Sequence, residues 1–207
     1  MSRQAIIISG NLVQDHEFIY PFYRLLEDSY NVDVCLLGGQ PVNGILGTRI
    51  PPNKEHPVLT IQNCLDKIKE YDLLVIPGGA KAMEYLRQNK DILNFITKFN
   101  SFNKVIACIC HGSQLLISSK IVKDKKISGY YSIKDDINNA GAVYTDKPAV
   151  VDGNIVTCGG RVLCATAVGR SVSDAQADAY ELANCINWDK IYFRSDIAYR
   201  AIARENE

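Results

Sequence analysis

The sequence predicts an α/β protein with a mainly parallel sheet that helices cover on both faces. Short apolar segments that end near glycine or proline alternate with segments of helical periodicity, which is typical of parallel sheets with helical crossovers. The predicted strands of this kind are residues 5–9, 32–37, 73–76 and 105–109. Sites in such sheets form beyond the carboxyl ends of the strands. We therefore expect functional residues in the loops 11–15, 77–84 and 110–112.

The other predicted elements continue the alternation of strand and helix. A helix follows the first strand and ends at Glu27, and the turn-rich residues 44–52 are predicted to form a small hairpin. The remaining predicted elements are a short strand at 58–61, a helix from there to residue 70, and helical segments at 83–88 and 91–99.

The strongest functional signal lies at the end of the fourth strand. Residues 105–109 are apolar and mostly β-branched, and the apolar spacing after His111 fits a helix, so Cys110 falls at the turn between them. This arrangement is a nucleophile elbow, in which a sharp turn exposes one side chain at the sheet edge. A cysteine at a helix N-terminus is expected to have a lowered pKa and to be the most reactive thiol. The alternative, a buried apolar cysteine, is our interpretation of Cys108.

Composition and charge narrow the classes of function. The chain has 207 residues with 23 basic and 23 acidic ones, so no net positive field attracts nucleic acid or a membrane surface. No apolar run approaches 18 residues, and the N-terminus does not resemble a signal peptide. Seven cysteines without a secretion signal predict reduced thiols in a cytoplasmic protein. The three histidines are too scattered to predict a metal site, and we expect no cofactor.

Four blocks of sequence, in order, resemble the PfpI family of intracellular proteases, part of the superfamily of the Parkinsonism-associated protein deglycase. The blocks are residues 75–79, 107–116, 133–141 and 150–157, and residues 17–25 resemble the family's first helix. The resemblance covers residues 4–158 and implies a flavodoxin-like three-layer sandwich that forms dimers or larger homo-oligomers. It also implies peptidase, glyoxalase-like or deglycase activity, and some members of the superfamily act as stress chaperones.

The resemblance assigns roles to individual residues. It implies that Cys110 is the nucleophile, that His111 is its base, and that Glu84 reaches the histidine from an adjacent subunit. The backbone N–H groups of Gly79 and His111 would form an oxyanion hole, which suits attack by a thiolate on a carbonyl carbon. Tyr130 lies where such enzymes have a tyrosine near the pocket, although an ordinary half-buried aromatic residue is an equal alternative.

One position in the first loop departs from the family pattern. The family usually has a glutamate beside the cysteine, and counting back from residues 17–21 places Gln14 there, with Asp15 and Glu17 at the wrong offset. Glutamine can donate an N–H to a thiolate but cannot move a proton. This interpretation predicts weak glyoxalase-type turnover.

The C-terminal segment, residues 159–207, departs from the family and resembles the end of phosphoribosylamine–glycine ligase over about 45 residues. From the residues alone it is predicted to be a strand at 162–168, a helix beginning near Ser173, and a tail rich in tyrosine and arginine. We expect it to pack on the core as an integral part of the fold. The alternative is that Arg161, Arg194 and Arg200 recognise a phosphorylated substrate.

The sequence thus predicts a PfpI-like domain at 1–158 with a C-terminal extension at 159–207. The expected function is that of a cytoplasmic, homo-oligomeric cysteine enzyme that acts on a small-molecule or peptide substrate, through an amide or related carbonyl group. A non-catalytic stress chaperone or thiol redox sensor, in which Cys110 is oxidised, is the alternative from another class. A purine-pathway accessory protein is a second alternative, which rests on the C-terminal segment alone.

Overall fold

A seven-stranded sheet lies at the centre of the larger of two units in this computed structural model. The structure describes residues 3–159, 165–187 and 193–205. The chain divides into the compact units Met1–Gly160 and Arg161–Glu207.

The larger unit contains all the strands and most of the helices of the described residues. The strands are β1 (Gln4–Ser9), β2 (Asn31–Leu36), β3 (Val42–Asn43), β4 (Arg49–Ile50), β5 (Val58–Leu59), β6 (Leu73–Ile76), β7 (Val105–Ile109), β8 (Lys126–Ile127), β9 (Val143–Tyr144), β10 (Ala149–Asp152) and β11 (Ile155–Cys158). The helices are α1 (Asp15–Glu27), α2 (Ile61–Asp66), α3 (Ala80–Leu86), α4 (Lys90–Ser101), α5 (Ser113–Ser118) and α6 (Lys134–Asn139). The smaller unit contains α7 (Val172–Asn184) and α8 (Tyr199–Glu205).

The central sheet has the strand order β10-β11-β7-β6-β1-β2-β5. Every neighbouring pair is parallel except β10 and β11, which form an antiparallel hairpin at one edge. A hairpin is present near the predicted position 44–52, but its antiparallel strands β3 and β4 span 42–50, so it begins two residues earlier than predicted. These observations confirm the predicted α/β fold with a mainly parallel sheet.

Burial of whole strands explains why the sheet has helices on both faces. All residues of β1 from Ala5 to Ser9 are fully buried, and successive side chains of a strand point to opposite faces. Both faces of the sheet must therefore be covered, as expected for parallel strands with helical crossovers. Part of the cover comes from aromatic side chains at helical spacing, Phe18 and Phe22 in α1 and Phe95 and Phe99 in α4, all of which are fully buried.

The smaller unit contains the helix predicted near Ser173, but the predicted strand at 162–168 is wrong for its described part. Residues 165–168 are not in a strand, and Val168 is 93% exposed. Ala165 and Ala167 are weak strand formers, which favours the irregular conformation seen there. Residues 162–164 lie outside the described residues.

Local hydrogen bonds hold the described parts of the smaller unit together. Ser171 caps α7 by accepting from the backbone N–H of Asp174, and the Glu205 carboxylate of α8 accepts from Val172 N at 2.9 Å. None of the described residues of α7 and α8 is buried. The expectation that the C-terminal segment packs on the core stays a prediction.

Candidate active site

The elbow at the end of β7 is a strained turn. Cys110 has a φ of 59°, in the left-handed region that non-glycine residues rarely occupy. A 3-10 turn, Cys110–Gly112, runs directly into α5, and a side chain at Gly112 would place its Cβ 2.6 Å from the carbonyl oxygen of Ile76. The absence of that side chain lets the turn lie against the end of β6. Strain that the surroundings hold in place is typical of functional sites.

A buried carboxylate, Glu17 in the first turn of α1, lies against Cys110. Its Oε2 accepts a hydrogen bond from Gly78 N at 2.8 Å, and its carboxylate lies close enough to Cys110 for each group to shift the pKa of the other. Glu17 is only 5% exposed. A Cβ at Gly78 would lie 2.4 Å from Glu17 Oε2 and 2.8 Å from Cys110 Cβ. Glycine at position 78 thus makes the close approach of carboxylate and thiol possible.

Burial and charge set the proton affinities of this pair. Burial raises the pKa of the Glu17 carboxyl above its ordinary value of 4.5, although the hydrogen bonds from Gly78 and Cys110 partly offset this. Burial, followed by the charge of Glu17, raises the pKa of the Cys110 thiol to about 12. The expectation of a lowered Cys110 pKa is therefore wrong, because loss of solvation and a neighbouring anion outweigh the helix N-terminus.

Gln14 does not fill the place of the glutamate beside Cys110, although its backbone N–H donates to the Gly78 carbonyl oxygen at 3.2 Å, so its assignment to the pocket stays a prediction. Its side-chain oxygen accepts from Asp15 N at 3.0 Å, so Gln14 is the N-cap residue of α1. Asp15 is also occupied, because its two carboxylate oxygens accept from Leu46 N and Thr48 N and hold the β3–β4 hairpin. Glu17 therefore fills the position of the family's glutamate, and the prediction of weak glyoxalase-type turnover loses its basis.

His111 lies next to the thiol and has an aromatic neighbour. Its Nδ1 is 3.5 Å from Cys110 Sγ, and its backbone N–H partly offsets the rise in the pKa of the Cys110 thiol. The ring packs against Tyr130 with 4.7 Å between centroids, and Tyr130 N donates to the Cys110 carbonyl. Burial lowers the pKa of His111, which favours the neutral imidazole that can accept a proton. The structure thus brings Cys110, His111 and Tyr130 together.

Gly79, the other predicted oxyanion-hole residue, follows Gly78 at the start of α3. It has a φ of 103°, and a Cβ there would lie 2.7 Å from Gln14 N and from the Leu12 carbonyl oxygen. Glycine is therefore required on both conformational and steric grounds. The role of its N–H in an oxyanion hole stays a prediction.

Glu84 lies on α3 with its side chain 58% exposed and paired with Lys81 Nζ at 2.8 Å. Its hydrogen bond to Lys81 lowers the pKa of Glu84, so it is a carboxylate at neutral pH. The predicted role of Glu84 requires an adjacent subunit, and within one chain this carboxylate is bound to Lys81. That role stays a prediction.

Sequence reasoning missed Glu17 and also Cys158. Cys158 ends β11, where it is paired in register with Ile109, the residue before the elbow. It is close enough for a negative charge on it to raise the pKa of Cys110. The sequence did contain a signal for Cys158, because it ends a strand and neighbouring parallel strands place their last residues at the same edge of the sheet.

The described residues offer no group of three or more histidine, cysteine, aspartate or glutamate side chains that could hold a metal ion. The two arginines of the smaller unit that are described have local partners. Arg194 binds Asp196 through Nε at 2.7 Å, and Arg200 Nε donates to Tyr199 OH at 2.8 Å. Arg161 lies outside the described residues. These contacts do not support the phosphate-recognition alternative.

Fold and site together define an α/β protein with a cysteine elbow and a buried glutamate against it. The model of the DJ-1/PfpI family matches residues 3–164, and the chain belongs to this family. Deglycase PfpI of Pyrococcus furiosus is 34% identical over 156 residues, which cover 74% of this chain and 88% of that protein. YraA of Bacillus subtilis, named provisionally as a cysteine protease, is 33% identical over 158 residues, or 76% of this chain and 89% of YraA.

Solved structures of similar proteins have the same fold as this chain. The crystal structure of Drosophila melanogaster DJ-1beta superposes with a TM-score of 0.70 at 23% identity and covers 89% of this chain and 90% of that one. Within the described residues, none of the helices combines the length and apolar character needed to cross a membrane.

The comparisons also confirm the second resemblance. A segment of 56 residues, 27% of this chain, is 70% identical to phosphoribosylamine–glycine ligase of Vibrio parahaemolyticus. It spans 13% of the ligase, so most of that enzyme has no counterpart here.

Proposed function

We propose that this protein is a cysteine-dependent enzyme for small reactive carbonyl compounds, with Cys110 as the nucleophile and Glu17 as its acid–base partner. The close approach of the buried Glu17 carboxylate to the Cys110 side chain, which meet at the point that a Cβ of Gly78 would occupy, carries this proposal. A carboxylate with a raised pKa is a stronger base than an ordinary one, and it touches the proton that must leave. The names of relatives as deglycases support a carbonyl-containing substrate.

The first step is addition of the thiol to the carbonyl carbon. The Cys110 proton passes to Glu17 as the sulfur forms a bond to carbon and the carbonyl π bond breaks. Glu17 then gives that proton to the carbonyl oxygen, which yields a neutral hemithioacetal. The backbone N–H groups of Gly79 and His111 would stabilise the negative charge that develops on the carbonyl oxygen.

With a 2-oxoaldehyde the same carboxylate can complete an internal redox reaction. Glu17 removes the proton from the hemithioacetal carbon and returns it to the adjacent carbon through an enediol, which gives a thioester of a 2-hydroxy acid. Water hydrolyses this thioester and regenerates the Cys110 thiol. No external oxidant or reductant is needed, because one carbon is oxidised and its neighbour is reduced.

The test is conversion of methylglyoxal to lactate by wild type and by two variants. Cys110→Ser should abolish turnover, and Glu17→Gln should lower it by about 10²–10⁴-fold, because the amide cannot move a proton. Glu27→Gln is the matched control, since Glu27 lies on the same helix but is exposed. Turnover by Glu17→Gln at the wild-type rate would refute the acid–base role.

Hydrolysis of an amide or peptide bond is the second candidate. The distance of 3.5 Å between Cys110 Sγ and His111 Nδ1, together with the name of YraA, favours it. Here His111 would take the thiol proton and give it to the leaving amine. Fluorogenic peptide amides would show this activity, and its loss in His111→Ala but not in Glu17→Gln would favour hydrolysis over carbonyl chemistry. A protein inactive in both assays that suppresses aggregation of a heated client would support the chaperone alternative.

We also propose that the protein works as a homo-oligomer in which Glu84 of one subunit approaches His111 of another. The exposed position of Glu84 on α3 is compatible with such a contact. A carboxylate beside the imidazole would orient the ring and stabilise its protonated form.

A further inference from the structure

Three residues with hydroxyl side chains form a buried cluster in the larger unit, and the proposed chemistry uses none of them. Ser113 begins α5, Ser128 follows β8, and Thr157 lies in β11. Their exposed fractions are 0%, 1% and 1%. Burying a hydroxyl group costs free energy unless the group is hydrogen-bonded, so the partners of these residues show what the cluster does. We call these three residues the hydroxyl cluster.

Both main-chain groups of Ser128 are bonded to side chains of the hydroxyl cluster. Thr157 Oγ1 accepts from Ser128 N at 2.8 Å, and Ser113 Oγ donates to the Ser128 carbonyl oxygen at 3.1 Å. Ser128 Oγ itself donates to the Lys147 carbonyl oxygen at 2.8 Å. Ser128 is therefore bonded to β11, which pairs with the elbow strand β7, and to α5, which follows the elbow.

The next two residues along the chain connect Ser128 to the elbow. Tyr130 N donates to the Cys110 carbonyl oxygen at 3.2 Å, and the Tyr130 ring packs on the His111 ring with 4.7 Å between centroids. Between them, a Cβ at Gly129 would lie 3.4 Å from the same carbonyl oxygen. The segment that the hydroxyl cluster holds therefore contacts both the nucleophile residue and the neighbouring imidazole.

We propose that two members of the hydroxyl cluster, Ser113 and Thr157, are positioning residues for Cys110. They act by holding residues 128–130 against the elbow. Cys110 has a left-handed backbone conformation, which persists only where the surroundings hold it in place. The hydrogen bond from Tyr130 N is one such restraint, and the hydroxyl cluster fixes where this N–H lies. The predicted effect on turnover rests on the proposed function, whereas the predicted effect on access to the thiol does not.

Loss of the Thr157 hydroxyl would leave the Ser128 N–H buried without its acceptor. An unpaired buried donor is costly, so we expect residues 128–130 to shift until this N–H finds another partner or water. The shift would move the Tyr130 N–H away from the Cys110 carbonyl oxygen. A displacement of about 1 Å that begins far from the reacting atoms can slow turnover by about 10²-fold.

Two substitutions of Thr157 separate the hydroxyl group from the shape of the side chain. Thr157→Val keeps the branched shape and removes the acceptor, whereas Thr157→Ser keeps the hydroxyl. With methylglyoxal as substrate, we expect Thr157→Val to lower kcat by about 10–10²-fold and to leave KM unchanged, because the cluster orients groups for the reaction and does not bind the substrate. Thr157→Ser should retain a kcat close to that of wild type. Each protein is assayed well below its thermal midpoint.

Iodoacetamide labelling of Cys110 gives a readout that needs no turnover. Burial is the largest cause of the raised pKa of this thiol, and release of residues 128–130 should let water reach it. We expect Cys110 to be labelled about tenfold faster at pH 7 in Thr157→Val than in wild type, because a thiol pKa lower by about one gives tenfold more thiolate. Thr157→Ser should be labelled at the wild-type rate. Faster labelling of Thr157→Val in a protein that does not convert methylglyoxal would refute the carbonyl chemistry and support the positioning role.

A second variant and a control complete the test. Ser113→Ala removes the donor to the Ser128 carbonyl oxygen, so it should change kcat and labelling in the same directions, and it replaces Thr157→Val should that variant not fold. The control is Thr97→Val, because the Thr97 hydroxyl also donates to a main-chain carbonyl oxygen, that of Leu93 at 2.9 Å within α4. It should keep the wild-type kcat and labelling rate.

Two results would overturn the proposal. One is wild-type kcat and labelling in folded Thr157→Val and Ser113→Ala, judged by unchanged circular dichroism spectra, since the hydroxyl cluster would then contribute to stability alone. The other is an equal loss of kcat in Thr157→Val and Thr157→Ser, which would mean that the shape of the side chain and not its hydrogen bond matters.

Discussion

Replacing Glu17 by glutamine should make the Cys110 thiol more acidic while it impairs turnover. Glutamine is close to glutamate in size and keeps an oxygen that can accept from Gly78 N. What the variant loses is the negative charge that raises the pKa of Cys110 and the group that can take up its proton. Alkylation of the thiol and catalysis by it are therefore expected to change in opposite directions.

The size of the alkylation effect follows from the thiolate fraction. A thiol with a pKa of about 12 is ionised in about one molecule in 10⁵ at pH 7, compared with about 3% for a free cysteine. Removing every cause of the raised pKa would therefore speed alkylation by about 10³-fold. Burial is the largest cause and remains in the variant, so we expect a smaller increase, of about tenfold.

The measurement is the rate of iodoacetamide labelling of Cys110 between pH 7 and pH 9, followed by tandem mass spectrometry of peptide 105–120. Glu27→Gln, on the exposed side of the same helix, should label at the wild-type rate. Slower labelling in Glu17→Gln would refute the reasoning. It would mean that the shared proton rests on Glu17 in the wild-type protein and that Cys110 is already a thiolate there.

Three further predictions follow from the structure. Gly78→Ala should lower Cys110-dependent turnover and destabilise the fold by about 1–3 kcal/mol, because the new Cβ would lie 2.4 Å from Glu17 Oε2. Activity and thermal unfolding are the measurements. The control is Gly10→Ala, whose Cβ would have its nearest contact at 3.5 Å. Glu84→Ala should slow turnover in the oligomer. The thermal midpoint should not change, since the contact of Glu84 with Lys81 is on the surface. An active monomer whose turnover is the same with and without Glu84 would contradict the intersubunit role. Truncation before Gly159 should give an insoluble protein, because the C-terminal segment is expected to pack on the core as an integral part of the fold; a soluble, dispersed protein with an unchanged thermal midpoint would contradict this expectation.

The fold was predictable because buried strands and amphipathic helices each have a recognisable spacing of apolar residues in the sequence. Each buried strand is a short run of apolar residues, and parallel strands need burial on both faces. The elbow was predictable for the same reason, since Cys110 follows such a run and precedes a helix. These features depend on neighbouring residues in the chain, which is the information that a single sequence contains.

Glu17 was missed because its position depends on where α1 begins. Once Gln14 is known to be the N-cap, Glu17 falls in the first turn of the helix. Side chains in a helix point back toward its N-terminus, so a first-turn glutamate reaches past the helix end to the sheet edge where Cys110 lies. Counting residues from a family pattern could not supply this geometry.

The Cys110 pKa was mispredicted because the sequence shows the helix N-terminus but not what surrounds the thiol. The charge of Glu17 comes from α1, far from Cys110 in the chain, and together with burial it acts in the opposite direction. The strand predicted at 162–168 is wrong in its described part for a similar reason, since an apolar run does not show by itself whether it pairs with a neighbouring strand.

The pH dependence of kcat/KM for methylglyoxal conversion is the most direct test of the Glu17–Cys110 pair. It reports the ionisation of groups in the free enzyme, and the base must be ionised to accept the thiol proton. We therefore expect activity to rise through one ionisation whose midpoint lies above the ordinary glutamate value of 4.5, and then to stay level through pH 9 because the thiol remains protonated there. This rise should be absent in Glu17→Gln. A rise centred near the ordinary thiol value of 9.0, present in both proteins, would show that free thiolate and not the carboxylate–thiol pair is the reacting species.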